Sequence, residues 1–145
     1  MLFEAFKELV EKIKNDHPFW FGMDSDVNPE ESAVNDAEKI IGAKLPREYK
    51  DFIFEYGGGY FAFSNVYSLE AGSDWNLVDI NFKYDDIRNG YVLISENGLG
   101  DFYGFKVVDG VCEPKIHFYD HEVDTWYESP YGDLFDYLKK LALTN

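Results

Sequence analysis

The sequence predicts an α+β domain in which helices come first, a mixed or antiparallel β meander follows, and one helix closes the chain. Apolar residues recur at helical spacing over the first third of the chain, and beyond Gly59 the period changes to that of strands. Asp109-Gly110 stands between two β-rich runs, a strong hairpin signal. The 145 residues suit a single domain over 1–145, and 3 Trp, 11 Tyr and 13 Phe supply material for a sizeable core.

In the first helix Leu2, Phe6, Leu9 and Ile13 share one stripe, with Phe3 and Val10 beside it, and His17-Pro18 closes it. A polar loop spans residues 22–28. Asn28-Pro29-Glu30-Glu31 reads as a helix start: a capping Asn, Pro at the first position, and acids at the positive end of the dipole. Val34, Ala37 and Ile41 form the apolar face of that helix, and Gly42 stops it. Pro46 opens the next helix, whose Tyr49, Phe52, Ile53 and Tyr56 follow i, i+3, i+4, i+7 spacing before Gly57 ends it.

Residues 60–63 and 66–69 are short β candidates. In residues 72–89, Trp75, Val78, Ile80 and Phe82 fit a strand or an irregular stretch, and residues 84–88 a short helical turn. The run Tyr91-Val92-Leu93-Ile94 predicts a central strand buried on both faces. Residues 102–108 and 111–119 flank the Asp-Gly turn, and Pro114 belongs at an edge or a bulge because it cannot donate to the ladder. The last helix is expected from about residue 131, with Leu134, Phe135, Leu138, Leu141 and Ala142 as its stripe and Lys139 and Lys140 at its negative end.

The net charge is −15. Such a chain repels phosphate backbones and anionic membranes, so neither nucleic acid nor a membrane is an expected partner. A basic protein is favoured, with long-range attraction speeding encounter; the alternative is an acidic surface that serves only solubility. Cys112 is the lone cysteine, which precludes an internal disulfide, and neither neighbour is basic. The first eight residues read as an amphipathic helix rather than a signal peptide, and no run reaches the length of a membrane span. Cytoplasmic residence is expected.

Catalytic and metal chemistry finds little support. Asp24-x-Asp26-x-Asn28 matches the start of a calcium loop, but Pro29 stands where Gly must turn and Asn35 where a bidentate Glu must close. His117 and His121 would lie roughly 13 Å apart along a strand, too far to share a metal, and are expected to be solvated or hydrogen-bonded at a strand end. No nucleophile elbow or phosphate-binding loop is present, and Gly98-x-Gly100 is too short for a nucleotide fingerprint. Glu96 and Asp101 flank a glycine turn, where acids commonly bond backbone amides. No catalytic residue, metal or cofactor is expected.

An interaction face is the better candidate. Asp120, Glu122, Asp124, Glu128, Asp133 and Asp136 follow one another with no Lys or Arg between, and Trp126, Tyr127 and Tyr131 are interleaved with them. Aromatics anchor and acids steer when a basic surface is recognised. Asp79, Asp85 and Asp86 form a second cluster beside Trp75. The expected partner-binding residues are Asp120, Glu122, Asp124, Trp126, Tyr127 and Glu128, together with Asp85 and Asp86. The competing reading is a solvated loop whose aromatics fold back into the core.

Three stretches resemble the SUKH superfamily, the Smi/Knr-type cell-wall regulators and bacterial immunity proteins. Ala37-Glu38-x-x-Ile41-Gly42-x-x-Leu45-Pro46-x-x-Tyr49-x-x-Phe52-Ile53-x-x-Tyr56-Gly57-Gly58 is similar to its signature. Residues 91–103 resemble its strand, glycine turn and Asp, and residues 115–120 followed by 129–138 its last strand and closing helix. Tyr56 before the glycine pair and the acidic loop 120–128 depart from the family pattern. The resemblance implies a non-enzymatic protein, a monomer or weak homodimer, that binds and neutralises a cognate toxin domain, often a basic nuclease. A regulatory scaffold of cell-wall synthesis is the alternative within the family, and a small-ligand binder or hydrolase on the aromatic side of the sheet is the alternative outside it.

Overall fold

A computed structural model describes all residues 1–145. Its helices are α1 (Phe3–Asp16), α2 (Glu31–Ile41), α3 (Arg47–Tyr56), α4 (Leu77–Lys83), α5 (Asp85–Arg88) and α6 (Leu134–Leu141), with a 3₁₀ turn at Pro18–Phe21. Strands β1 (Gly59–Phe61) and β2 (Ser64–Val66) form a small hairpin. Strands β3 (Tyr91–Glu96), β4 (Phe102–Val108), β5 (Val111–Asp120) and β6 (Thr125–Glu128) form an antiparallel meander in that spatial order. The fold is the expected α+β arrangement. No helix is long and apolar enough to cross a membrane.

Phe6 is the hub of the helical side, 4.8 Å from Phe135 of α6, 6.1 Å from Phe61 and 6.3 Å from Phe52 of α3 between ring centroids. The α1 stripe therefore centres on fully buried Phe6 and Val10, while Leu2 is exposed. In α3, Tyr49, Phe52 and Ile53 are fully buried, as their spacing requires. The linker between α2 and α3 lies beside the β4–β5 hairpin: Lys44 N–H donates to Gly110 C=O at 2.9 Å and Cys112 N–H to Lys44 C=O at 2.8 Å. Glu38, buried one turn before the end of α2, accepts from Leu45 N–H at 2.7 Å and faces Lys50 at 3.2 Å.

Four sequence expectations are corrected. Asn28 does not cap α2, which begins at Glu31 after Glu30; its amide donates instead to Phe54 C=O at 2.9 Å and Glu55 C=O at 3.3 Å. Those carbonyls end α3 and have no donors within the helix, so the carboxamide serves the far helix rather than the near one. Residues 77–83 are helical, because Asn76 caps the segment by accepting from Asp79 N–H at 3.0 Å while Leu77, Ile80 and Asn81 are buried on one face. Helix α6 starts three residues later than expected, where Asp133 accepts from Asp136 N–H at 2.9 Å. Strand β3 is buried over Val92–Ser95 but stands at the edge of its sheet.

That edge is closed by side chains. Fully buried Asn81 accepts from Leu93 N–H at 2.8 Å and donates to Leu93 C=O at 2.9 Å and Leu77 C=O at 2.8 Å. Tyr67 N–H donates to Ile94 C=O at 2.9 Å. Asn65 then accepts from Glu96 N–H at 3.0 Å and donates to Glu96 C=O at 2.9 Å. Two carboxamides thus stand in for a neighbouring strand and join the hairpin β1–β2 to the sheet.

Asp109-Gly110 turns β4 into β5 with both residues at positive φ (51° and 75°), as a two-residue hairpin of the primed type requires. The β4–β5 register slips between Phe105–Ile116 and Val107–Cys112, so Pro114 lies on a bulge.

Gly57 has φ +84°, and a Cβ there would meet Asp26 O at 2.0 Å; Gly42 has φ +82° with nothing within 4 Å. Gly57→Ala is expected to cost more than about 2 kcal/mol and Gly42→Ala about 1 kcal/mol, read by urea unfolding. Asn81→Ala is expected to cost about 2–4 kcal/mol because it strands both polar groups of Leu93. An unchanged urea midpoint in that variant would contradict the edge-sealing role.

Candidate functional site

Of the second acidic cluster, α5 with Asp85 and Asp86 packs against the meander near the β5–β6 turn, where Trp126 Nε1 donates to Ile87 C=O, while Asp79 lies on α4 beside Ala33 and Ile40. Tyr119, on β5, donates its hydroxyl to Asp124 in the β5–β6 turn. That bond, with burial and the charges of Asp124, Asp86 and Asp101, pushes the Tyr119 hydroxyl up to about 12. Asp124 bonds this hydroxyl, and the charges of Asp86 on α5 and Asp101 in the β3–β4 turn act on it from farther off. Asp85 is turned toward Arg88 at 3.5 Å, whereas Glu122 and Asp86 make no ion pair and are exposed. Asp120 accepts from Glu122 N–H at 3.0 Å, which holds the turn.

His121 is the one side chain in this acidic turn that can carry a positive charge. Its Nδ1 lies 2.6 Å from Asp101 Oδ1, which also accepts the His121 N–H at 2.9 Å. Asn97 donates to the other Asp101 oxygen at 2.9 Å. The hydrogen bond to Asp101 holds the His121 pKa above its ordinary value, and Asp101, Glu122 and Asp120 add to it by charge. Burial pushes the Asp101 carboxyl up, but the bonds from the His121 main chain, the His121 ring and Asn97 outweigh it, leaving the pKa lowered. Asp101, Asp120 and His121 bring one polar atom each within 4.8 Å of one another, and hydrogen bonds join Asp101 to His121.

The sheet separates the aromatics of the acidic stretch. Trp126 packs inward: its ring lies 4.0 Å from Tyr91 at 5°, over Gly104, and its Nε1 donates to Ile87 C=O at 2.9 Å. Tyr127 points to the opposite face, beside Phe118 and Tyr103 in cross-strand register, and is 49% exposed. Glu128 is exposed, 4.0 Å from Lys115. Asp133 caps α6 and receives the Met1 amino group at 3.0 Å, so it faces away from the turn.

Other singled-out residues have structural partners. Asp26 accepts from Ser68 Oγ and Ser73 Oγ, each at 2.6 Å, and the Asn28 amide donates to the end of α3. His117 is buried within β5, 5.2 Å from Tyr91, rather than at a strand end, and burial lowers its pKa. Cys112 is buried, and burial pushes its thiol up to about 12, which removes the thiolate reactivity requires. Glu96 and Asp101 do not converge: Glu96 accepts from Tyr67 OH at 2.6 Å while Asp101 belongs to His121. Sequence reasoning missed an open groove of about 510 Å³ that Glu96 lines with Tyr60, Trp75 and Tyr103. Its lining comes from separate segments, so no local motif reports it.

The ion pair has a pH signature. A raised His121 pKa contributes stability that is complete below the unfolded value of about 6.5 and is lost as pH rises through the folded value. The lowered Asp101 pKa contributes above about 3.9 and is lost as pH falls through the folded value. Asp101→Asn is therefore expected to lower the melting temperature most between about pH 4 and 6.5. In the same variant the His121 NMR titration midpoint should fall; a midpoint that stays in place would refute the pairing.

Comparison with known proteins bears on this arrangement. A family model described as SMI1-KNR4 cell-wall (SUKH_6) matches residues 31–138, from the start of α2 into α6. The chain is also similar to the uncharacterized protein YnaB of Bacillus subtilis (strain 168), with 27% identity over 123 residues, covering 74% of this chain and 78% of the relative. The matched span holds the glycine-bounded helices, the meander and the closing helix together, and the chain belongs to the SMI1-KNR4 (SUKH) family.

Proposed function

We propose that this protein is an immunity protein that binds a basic toxin domain non-covalently and neutralises it, a nuclease being the type of toxin that fits best. The observation that carries this is the gathering of Asp86, Asp101, Asp120, Glu122 and Asp124 around the Tyr119 end of a sheet in a chain of net charge −15. A nuclease must present cations to phosphate, and a rigid acidic surface competes for the same cations. Asp101, Asp120 and Asp124 are each held by a hydrogen bond, so these three carboxylates lose little side-chain entropy on docking. Family membership supports the reading, since immunity proteins are among the family's members.

The description of the matched family favours a second reading, a regulatory scaffold of cell-wall synthesis. Under that reading the acidic end docks on a cellular enzyme, and no toxin gene need lie beside this one.

The test is co-purification with the toxin domain encoded next to this gene, together with survival of cells that express that toxin. Wild-type protein should bind and rescue growth. Asp86→Lys with Glu122→Lys, both at exposed positions, should slow association about tenfold and flatten its dependence on salt. Stopped-flow rates that do not change would remove the acidic end from the interface. Failure of the wild-type protein to bind or rescue would overturn the immunity reading.

A further inference from the structure

The groove between the β1–β2 hairpin and the end of β3 has an unusual lining. Tyr60, Phe63, Trp75, Tyr103 and Tyr137 supply aromatic surface, and Glu96 is the one charged residue among the lining side chains. The rings form pairs: Tyr60 and Trp75 lie 5.0 Å apart, Tyr103 and Tyr137 4.6 Å apart. Tyr60 and Phe63 are 44% and 50% exposed, so the aromatic surface is open to a partner.

Glu96 is firmly placed and has no ion-pair partner, although it also lines a neighbouring cavity with Lys83. Its main chain is held by Asn65 on both sides, and its Oε2 accepts from Tyr67 OH at 2.6 Å. No ion pair of the chain includes it. A half-buried carboxylate among aromatic rings favours a cation: the rings attract positive charge through their faces, and the carboxylate supplies the counter-charge. An apolar occupant would desolvate Glu96 without compensation, and an anion would meet repulsion from it and from the whole molecule.

The surroundings point to a cation carried by a polypeptide. Asn97 lines the groove and donates to Asp101 at 2.9 Å, so the groove and the acidic end share the β3–β4 turn. Tyr103 continues through Phe118, 5.2 Å away, to exposed Tyr127. A basic protein seated on the acidic end therefore reaches the groove, and the aromatic row gives it further surface to cover. Among biological cations, a planar guanidinium both stacks on rings and forks onto a carboxylate, which an ammonium does not.

We propose that the groove receives an arginine side chain of the basic partner protein, its guanidinium paired with Glu96 and stacked on the groove's aromatic rings. The inference rests on the reading that the partner is a basic toxin domain, and it adds the residue by which that partner is held.

Two arms test it. In the first, the capped peptide Gly-Arg-Gly is titrated into the ¹⁵N-labelled protein, and the Trp75 indole and Asn65 side-chain amide signals are followed by NMR. Saturable shifts are expected at millimolar peptide, about fivefold weaker when citrulline replaces arginine. They should be lost in Glu96→Gln, which keeps an acceptor for Tyr67 and should melt as the wild type does. Equal binding of the citrulline peptide, equal binding by the variant, or no shift at these signals would overturn the proposal. In the second arm, Glu96→Gln should weaken the complex with the toxin domain about tenfold. If wild type and variant bind that domain equally, the groove is not used and the immunity reading stands. If wild type binds the arginine peptide but not the toxin domain, the groove's chemistry stands and the immunity reading falls.

Discussion

The outer edge of β3 is the constraint on which the remainder of this fold rests. An edge strand leaves a row of donors and acceptors that must find water or partners, and β3 is buried over Val92–Ser95, where water is excluded. Asn81 and Asn65 meet that need with side-chain amides, and Tyr67 adds a single main-chain bond. Each amide then fixes a second element. Asn81 ties α4 to the sheet, and α5 follows after one residue, which carries Ile87 C=O to the Trp126 indole beside the β5–β6 turn. Asn65 ties the hairpin β1–β2 to Glu96, which forms the groove. Both candidate surfaces thus descend from the way one strand edge is satisfied.

Much of the architecture was legible because glycine and proline punctuate it. Gly42 and Gly57 end helices at positive φ, Asp109-Gly110 turns the hairpin, and Pro114 sits on the bulge. Elsewhere local pattern misled for identifiable reasons. A continuous apolar run reports burial on both faces and is silent on pairing, so β3 read as central when polar side chains occupy its outer flank. Val78, Ile80 and Phe82 mimic a strand period, yet Phe82 is 55% exposed and the Asn76 cap decides for helix. Asn28 has the sequence context of a cap, but unsatisfied carbonyls at the end of α3 were nearer to hand.

The acidic runs were visible as composition, whereas their placement in space was not. Nothing local places α5 beside β6, and nothing local turns Trp126 inward while Tyr127 faces out, beyond strand alternation once the register is known. Gly104 is the unobtrusive partner in that choice. A Cβ there would meet Val92 C=O at 2.6 Å and stand 3.1 Å from the Trp126 ring, so its absence serves both the β3–β4 pairing and the stacking of the indole on Tyr91. The family signature, by contrast, is nearly all interior: Ala37, Glu38, Leu45, Tyr49, Phe52 and Ile53 are buried. It identifies the scaffold through packing.

The turn at residues 121–124 is exposed throughout and contributes nothing to the 27-residue core. Its consequence is one of lineage. Surface substitutions away from caps and buried partners usually alter stability by less than about 0.5 kcal/mol. Charge at Glu122 can therefore drift, reverse or vanish while the folded state persists. In such a molecule interior and rim evolve on separate clocks, the first slowed by packing and the second free of that restraint.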